Sequence, residues 1–483
     1  MKKKKKLGIN ALLNMIKSVM GMLFPLITFP YVSRILSVDY IGKVNYASSV
    51  VSYFALLAML GIPVYAAREG ARIRKNKQKL ERFVSEIFTL NILAAIIALV
   101  VLFILIFATD IFNGYEALLL IYAIQIPLAV VGVDWINSIF EDYFYITIRT
   151  LLFQLVGLIL IFCTVKSRND YYQYAICLVV TSYGAGLLNA LYTRKYCKKK
   201  IIFELKILNH LKPVLILFAT NIAALIYSSA DTTMLGLMTT DYNVGIYTTA
   251  AKVYGIFKQL AFSVVIVCLP RFSYIVANES KAEYEKMANI LFKIVLIIAV
   301  PLSVGVFFLS TSIVQLLAGR EFMASVYPLR LLSFAIFFAI LAYFIMQLIL
   351  LPNKEDYIIL RATVITGIFN IIANYFLIPY YMENAAAFTT VISELIVLII
   401  TWGTGRRILR LHVGKNNMIS IIFASMIMGI VLYGINYLKM NAIVTGVMGF
   451  IIGIVVYFMV LMIMKNEVVI EGISFIKDRK KTK

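Results

Sequence analysis

Three lysines stand where a chain rarely leaves them: Lys17, Lys252 and Lys258 lie inside apolar runs of membrane length. A charge at the centre of a bilayer costs roughly 2.5–3.5 kcal/mol, and it normally faces protein or water rather than lipid. Helical spacing shows what accompanies these ammonium groups. Asn10, Asn14, Lys17 and Gly21 share one face, and Pro25 continues the line. Thr248, Lys252, Gly255, Gln259 and Ser263 form a second stripe, with Tyr247, Tyr254 and Lys258 beside it. Further stripes are Asn45, Ser49 and Ser52, and Asn221, Ser228, Asp231 and Thr232. Acids inside the apolar runs are scarcer, mainly Asp134, Asp231 and Glu394. Two readings stand. The polar residues glue helices together, with Asp231 neutralising a lysine, or they line a polar cavity with surplus positive charge. Such a cavity takes an anion, and lysine is a mobile point charge suited to phosphate.

The elements that must position these groups follow from composition. The chain has 483 residues, 62% hydrophobic and 14% charged, with mean hydropathy +0.90. Soluble domains rarely exceed about half apolar residues. An all-α integral membrane protein is expected, with about fourteen transmembrane helices and no large soluble domain. The spans are centred near Gly21, Phe54, Ala95, Ile126, Leu155, Leu178, Ala224, Phe257, Val300, Ala339, Phe369, Ile392, Ile427 and Ile454.

The basic residues support that count. With a cytoplasmic N-terminus, the inner side collects Lys2 to Lys6, the run REGARIRKNKQKLER, the run from Arg194 to Lys212, Arg406, Arg407 and the basic tail. The outer side keeps only scattered cations such as Arg34, Lys43 and Arg320. An even number of spans returns the C-terminus to the cytoplasm. The formal net charge of +22 is therefore mostly topology, and nucleic acid is not an expected partner. The N-terminal run lacks a small-residue cleavage site and reads as a retained first span. Four cysteines without paired spacing read as small apolar fillers, and His210 and His412 are too isolated for a metal site.

Asp39-Tyr40-Ile41-Gly42 precedes span two, and Asp241-Tyr242-Asn243-Val244-Gly245 precedes span eight. An offset of about six spans predicts two six-helix lobes related by a pseudo-two-fold axis along the membrane normal. The expected organisation is an N-terminal lobe over residues 1–200 and a C-terminal lobe over 201–411. Residues 412–483 add two extra helices and a basic cytoplasmic tail. The alternative is that the echo is a common turn leading into a helix.

Three stretches carry a family likeness. They are residues 25–74, with the run GIPVYAARE at Gly61 to Glu69; DWINSIFEDYFYITIRT at Asp134 to Thr150; and VGIYTTAAKV at 244–253, followed by LPRFS. On these the chain resembles the bacterial polysaccharide repeat-unit flippases (Wzx type, serving O-antigen and capsule) of the MOP superfamily. That superfamily also contains lipid II flippases and MATE drug exporters. The resemblance implies a flippase of the bacterial cell membrane. Its cargo would be an undecaprenyl-pyrophosphate-linked oligosaccharide, moved from inner to outer leaflet by alternating access.

It also implies that basic cavity residues hold the pyrophosphate, and the matching positions are Lys17, Arg34, Lys252 and Lys258. Asn14 and Gln259, on the same stripes, complete the substrate-binding set. Arg68, Asp134, Asp231 and Arg271 are candidates for gating or coupling. No cofactor or metal is implied. A coupling ion, H+ or Na+, is compatible but not required, because the membrane potential favours outward anion movement by about 2.3 kcal/mol per charge per 100 mV. Expected partners are the lipid-linked oligosaccharide, membrane lipids, and the polymerase or export machinery of the same pathway, with the chain itself a monomer. The rival readings are a cation-coupled drug exporter of the same fold and a membrane polysaccharide polymerase. The lysines disfavour the first, since cationic drugs call for acids. The second lacks a long external loop bearing carboxylates, and no nucleotide loop is present.

Overall fold

Hydrocarbon offers no water to backbone N–H and C=O groups, so an apolar run of membrane length satisfies them internally as a helix. The computed structural model describes residues 20–471 apart from 22, 203, 204 and 439, and every regular element among them is helical. Twelve of these helices are long and apolar enough to cross a membrane. One of them, Asp356–Ile408, is two helices joined at Met382, whose backbone (φ 50°, ψ −129°) is not helical. A shorter apolar helix, Leu23–Ile35, precedes them. Taken in order, the twelve long helices supply the expected spans two to fourteen, and Leu23–Ile35 stands where the expected first span ends; most of that span, centred near Gly21, lies outside the described residues.

Span one is Leu23–Ile35, span two Val38–Met59, span three Lys77–Ala108, span four Glu116–Ile139, span five Tyr143–Thr164 and span six Tyr171–Lys195. Span seven is Leu211–Met238, span eight Asp241–Asn278, span nine Lys281–Leu317 and span ten Arg320–Leu350. Spans eleven and twelve are the two parts of Asp356–Ile408; spans thirteen and fourteen are Lys415–Tyr437 and Ala442–Ile463. The chain divides into two compact units, Met1–Gly245 and Ile246–Lys483.

In the first unit the punctuation of span two explains much of the GIPVYAARE run. Ser37 caps its start by accepting from the Tyr40 N–H at 3.4 Å. It ends at Leu60 and Gly61, both left-handed (φ 45° and 74°), and Pro63 opens the amphipathic helix Ile62–Ile73. A Cβ on Gly61 would lie 2.8 Å from Leu217 Cβ and 2.9 Å from Phe218 N of span seven. Conformation and close approach both require glycine there. The two echoing motifs pack on each other. A Cβ on Gly42 would fall 1.8 Å from the Asp241 carbonyl oxygen, and one on Gly245 would fall 2.2 Å from that of Val38.

Span four breaks just ahead of the polar stretch NSIFEDYFY, which itself holds the junction with span five. Val133 is left-handed (φ 43°), a short helix Asp134–Ile139 follows, and Asp142 caps span five at the Tyr145 N–H. Asp142 also accepts from the hydroxyls of Tyr192 (2.7 Å) and Tyr196. The YYQY stretch at 171–174 is the first turn of span six, where Tyr171 stacks on Tyr40 at 4.4 Å. After span six the chain runs extended along span three. N–H groups of Lys198, Lys200 and Ile202 donate to Glu81, Ser85 and Thr89 at 3.2, 3.1 and 3.0 Å. Alternate residues of an extended chain thus meet every fourth residue of a helix. His210 closes this strap, with Nε2 3.0 Å from Glu86 and Nδ1 2.8 Å from the Tyr65 hydroxyl.

In the second unit, Phe292 of span nine packs against Phe344 of span ten (5.3 Å) and Trp402 of span twelve (5.7 Å). Spans thirteen and fourteen attach to span nine. Asn436 donates to the Phe308 carbonyl at 2.7 Å, and the Tyr457 hydroxyl donates to that of Ile297 at 3.0 Å.

Candidate functional site

Span eight carries the second polar stripe, and exposure rises along it. Thr248 is buried, Lys252 and Gly255 are half-buried, and Gln259 and Ser263 are exposed. Nothing lies within 4 Å of where a Gly255 Cβ would sit, so the stripe borders open space at that level. A stripe carrying an ammonium group and an amide beside open space can solvate an anion in place of water.

Lys258, on the adjoining stripe, has a partner that the sequence did not reveal. Its ammonium lies 3.3 Å from Oε1 of Glu394 in span twelve, and the Tyr254 hydroxyl donates to the same oxygen at 2.6 Å. Lys258 Nζ is also 4.5 Å from the Tyr254 ring centroid and 6.0 Å from that of Phe262. Glu394 has no sequence signal beyond being an acid in a span. Pairing it with Lys258 joins positions far apart in the chain, which one sequence cannot do.

Behind Lys258 lies an apolar groove of about 630 Å³. Phe257, the residue before Lys258, lines it from span eight. Pro301 and Val306 of span nine, Leu432 of span thirteen, and Gly446 and Gly453 of span fourteen supply other walls. Span fourteen packs closely at Gly449, where a Cβ would fall 2.6 Å from Leu309 Cδ2. At Gly446 the nearest atom, Ser312 Cβ, is 3.6 Å away, so that position is a floor of the groove instead.

The other expected site residues are placed as follows. Lys17 and Asn14 lie outside the described residues. Arg34 is exposed and donates to the Pro30 carbonyl one turn back. Arg68 is exposed and pairs with Glu69 at 3.1 Å, as Arg72 does at 3.0 Å. Arg271 pairs with Glu279 at 3.3 Å. Asp231 is buried in span seven. Nearby, the Thr233 hydroxyl donates to Ser49 Oγ at 3.0 Å, joining span seven to the stripe of span two. Ser49 and Ser52 donate to carbonyls of their own helix, those of Tyr46 and Ser49.

Asp134 belongs to a network that ties spans four, five and six together. Its oxygens accept from Arg149 Nη2 at 2.8 and 2.9 Å, and Oδ1 also accepts from Asn189 Nδ2 at 3.0 Å. Asn137 donates to Asn189 Oδ1 at 2.6 Å. Arg149 is buried, and its role was not visible in the sequence, where it reads as an ordinary inner-side cation. The spacing of Asp134 and Arg149 across a turn was the available signal.

Comparison with known proteins follows the same lines. A family model described as polysaccharide biosynthesis protein matches residues 7–276. A putative O-antigen transporter of Shigella dysenteriae is 23% identical over 380 residues, covering 78% of this chain and 94% of its own. The capsular polysaccharide biosynthesis protein CapF of Staphylococcus aureus is 24% identical over 377 residues, covering 74% and 89%. Among solved structures, the lipid II flippase MurJ in an inward closed conformation superposes with TM-score 0.73 at 17% identity, over 95% of this chain and 99% of MurJ. An inward-facing multidrug resistance MATE transporter of the MOP superfamily gives TM-score 0.55 at 12% identity, over 83% and 94%. At these identities the structural likeness concerns the fold, which is of the MOP type.

Proposed function

The chain belongs to the polysaccharide biosynthesis protein family, and from that premise we propose that it flips an undecaprenyl-pyrophosphate-linked oligosaccharide repeat unit from the inner to the outer leaflet. It is a multi-pass membrane transporter, not an enzyme, of the polysaccharide flippase class. The diphosphate is held by basic residues, with Lys252 and Lys258 as the principal ligands, Gln259 beside them, Arg34 contributing from span one, and Lys17 and Asn14 from the sequence ahead of it. Arg68 and Arg271 receive the headgroup, and Asp134 and Asp231 serve the gating or coupling step. Both termini are cytoplasmic, and the repeat halves, 1–200 and 201–411, are the moving parts of an alternating-access cycle.

One observation carries this reading: span eight sets Lys258 next to Phe257, so neighbouring positions of one helix supply a cation and a wall of an apolar groove. That is the pattern of a lipid phosphate, a charged head joined to a long hydrocarbon tail. Moving such a head through hydrocarbon unaided would strip water from the diphosphate and every sugar hydroxyl. A polar, basic surface replaces that hydration while the tail stays in apolar surroundings. A cationic drug would meet repulsion at the same lysines. The test is deletion of the protein followed by analysis of lipid-linked glycans in the membrane. A diphosphate-linked repeat unit should accumulate on the inner leaflet. Unchanged glycan export, with no accumulated intermediate, would sink the proposal.

A further inference from the structure

Glu394 is a carboxylate within a membrane span, only 5% exposed, and the transport reading gives it no task. Intramembrane acids are costly and normally serve function. Its two donors differ. The Tyr254 hydroxyl is close at 2.6 Å, whereas the Lys258 ammonium stands at 3.3 Å, beyond the usual 2.7–2.9 Å of a charge-assisted bond. The lysine side chain keeps 24% exposure against 6% for the glutamate. Phe262, which flanks the ammonium, is stacked on Tyr343 of span ten at 3.8 Å and 4°, which braces the aromatic surroundings, and lysine carries its charge on a flexible four-carbon stem. Loss of the lysine would still leave Glu394 accepting from Tyr254, so the carboxylate is not abandoned when the ammonium leaves.

We propose that Glu394 is an internal counter-anion that competes with the substrate's diphosphate for Lys258. In the empty protein Glu394 holds the ammonium. On loading, the lysine swings to the diphosphate and Tyr254 keeps the carboxylate in place. On release, Glu394 takes the lysine back. The pair thereby weakens ground-state binding and speeds discharge, so that a dianionic head does not become trapped among cations. This inference rests on the diphosphate reading above.

The test is equilibrium binding of farnesyl diphosphate to the purified full-length protein in detergent, with inorganic pyrophosphate as a second probe. Glu394→Gln keeps the shape and removes the competing charge. It should tighten binding of both probes about tenfold, ~1.4 kcal/mol. Lys258→Gln should weaken binding, and adding Glu394→Gln to it should change little. Tyr254→Phe should weaken binding, because Glu394 then depends on Lys258 more heavily. It also gives an independent readout if Glu394→Gln fails to fold. A mere packing role predicts losses in every variant rather than effects of opposite sign. Saturable wild-type binding that Glu394→Gln leaves unchanged or weakens overturns the inference and leaves the diphosphate reading standing. A gain confined to farnesyl diphosphate also overturns it, since the competition concerns the head alone. No saturable binding by the wild type or any variant refutes the diphosphate reading and the inference together.

Discussion

Filling the apolar groove at Gly446 should block transport without unfolding the protein. A Cβ at Gly446 has its nearest neighbour at 3.6 Å, an ordinary contact, so the leucine of Gly446→Leu grows into the groove and not into a helix. The groove is about 630 Å³, and the new side chain takes space that a polyprenyl tail would otherwise use. A displaced tail returns to bilayer hydrocarbon and not to water, so what it loses is packing contact, at about 0.1–0.2 kcal/mol per atom pair. Losing about ten such contacts costs ~1 kcal/mol, roughly fivefold in lipid affinity, on top of the steric block. Gly449→Leu is the contrasting variant. Its Cβ would fall 2.6 Å from Leu309 Cδ2, and overpacking of that kind costs about 1–3 kcal/mol of stability. The assay pairs glycan export in cells with thermal unfolding of the purified protein. Gly446→Leu should lose export at wild-type stability, whereas Gly449→Leu should lose stability. Normal export by a well-folded Gly446→Leu protein would refute the groove as the seat of the tail.

Lys252→Ala and Lys17→Ala should each reduce glycan export while leaving membrane insertion intact, measured by export complementation and membrane fractionation; normal export in both singles and the double variant would remove them as ligands. Gly61→Ala should lower thermal stability, because the left-handed backbone alone costs a side chain about 1–2 kcal/mol and span seven approaches within 2.8 Å. The Asp142 carboxyl gives an acid-sensitive tie. Burial raises its pKa, but hydrogen bonds from Tyr196, Tyr192 and the Tyr145 N–H, with Lys195 nearby, outweigh this and hold it below the ordinary value of 3.8. A depressed folded pKa stabilises above the unfolded value and is lost as pH falls through the folded one. Melting temperature should therefore drop below pH 3.8, and Asp142→Asn should flatten that acid limb while lowering stability at neutral pH.

Much of the architecture was legible in one dimension because its causes are local. A run of about twenty apolar residues has one way to satisfy its backbone in lipid, so span number and order followed from hydropathy. The GIPVYAARE run stood out only by its family likeness; that Gly61 and Pro63 break the helix came from the structure, although left-handed φ and a fixed proline φ are properties of single residues. The span eight stripe was legible because helical periodicity puts Lys252, Gly255 and Gln259 on one face whatever surrounds it. The Asp134 stretch was recognisable as special. That it welds three spans through Arg149 and Asn189 was not, since Asn189 arrives from span six.

The sequence by itself thus determined a helical membrane protein, its spans, and which helices carry ammonium groups, because insertion energy and periodicity are summed along the chain. Only the tertiary structure decided which of those cations already has a counter-charge and where an apolar groove lies beside it. Glu394 meets Lys258, and Phe257 meets spans nine, thirteen and fourteen, through packing between segments distant in sequence. No periodicity encodes that, because two helices with the same polar stripe differ in chemistry according to what faces them.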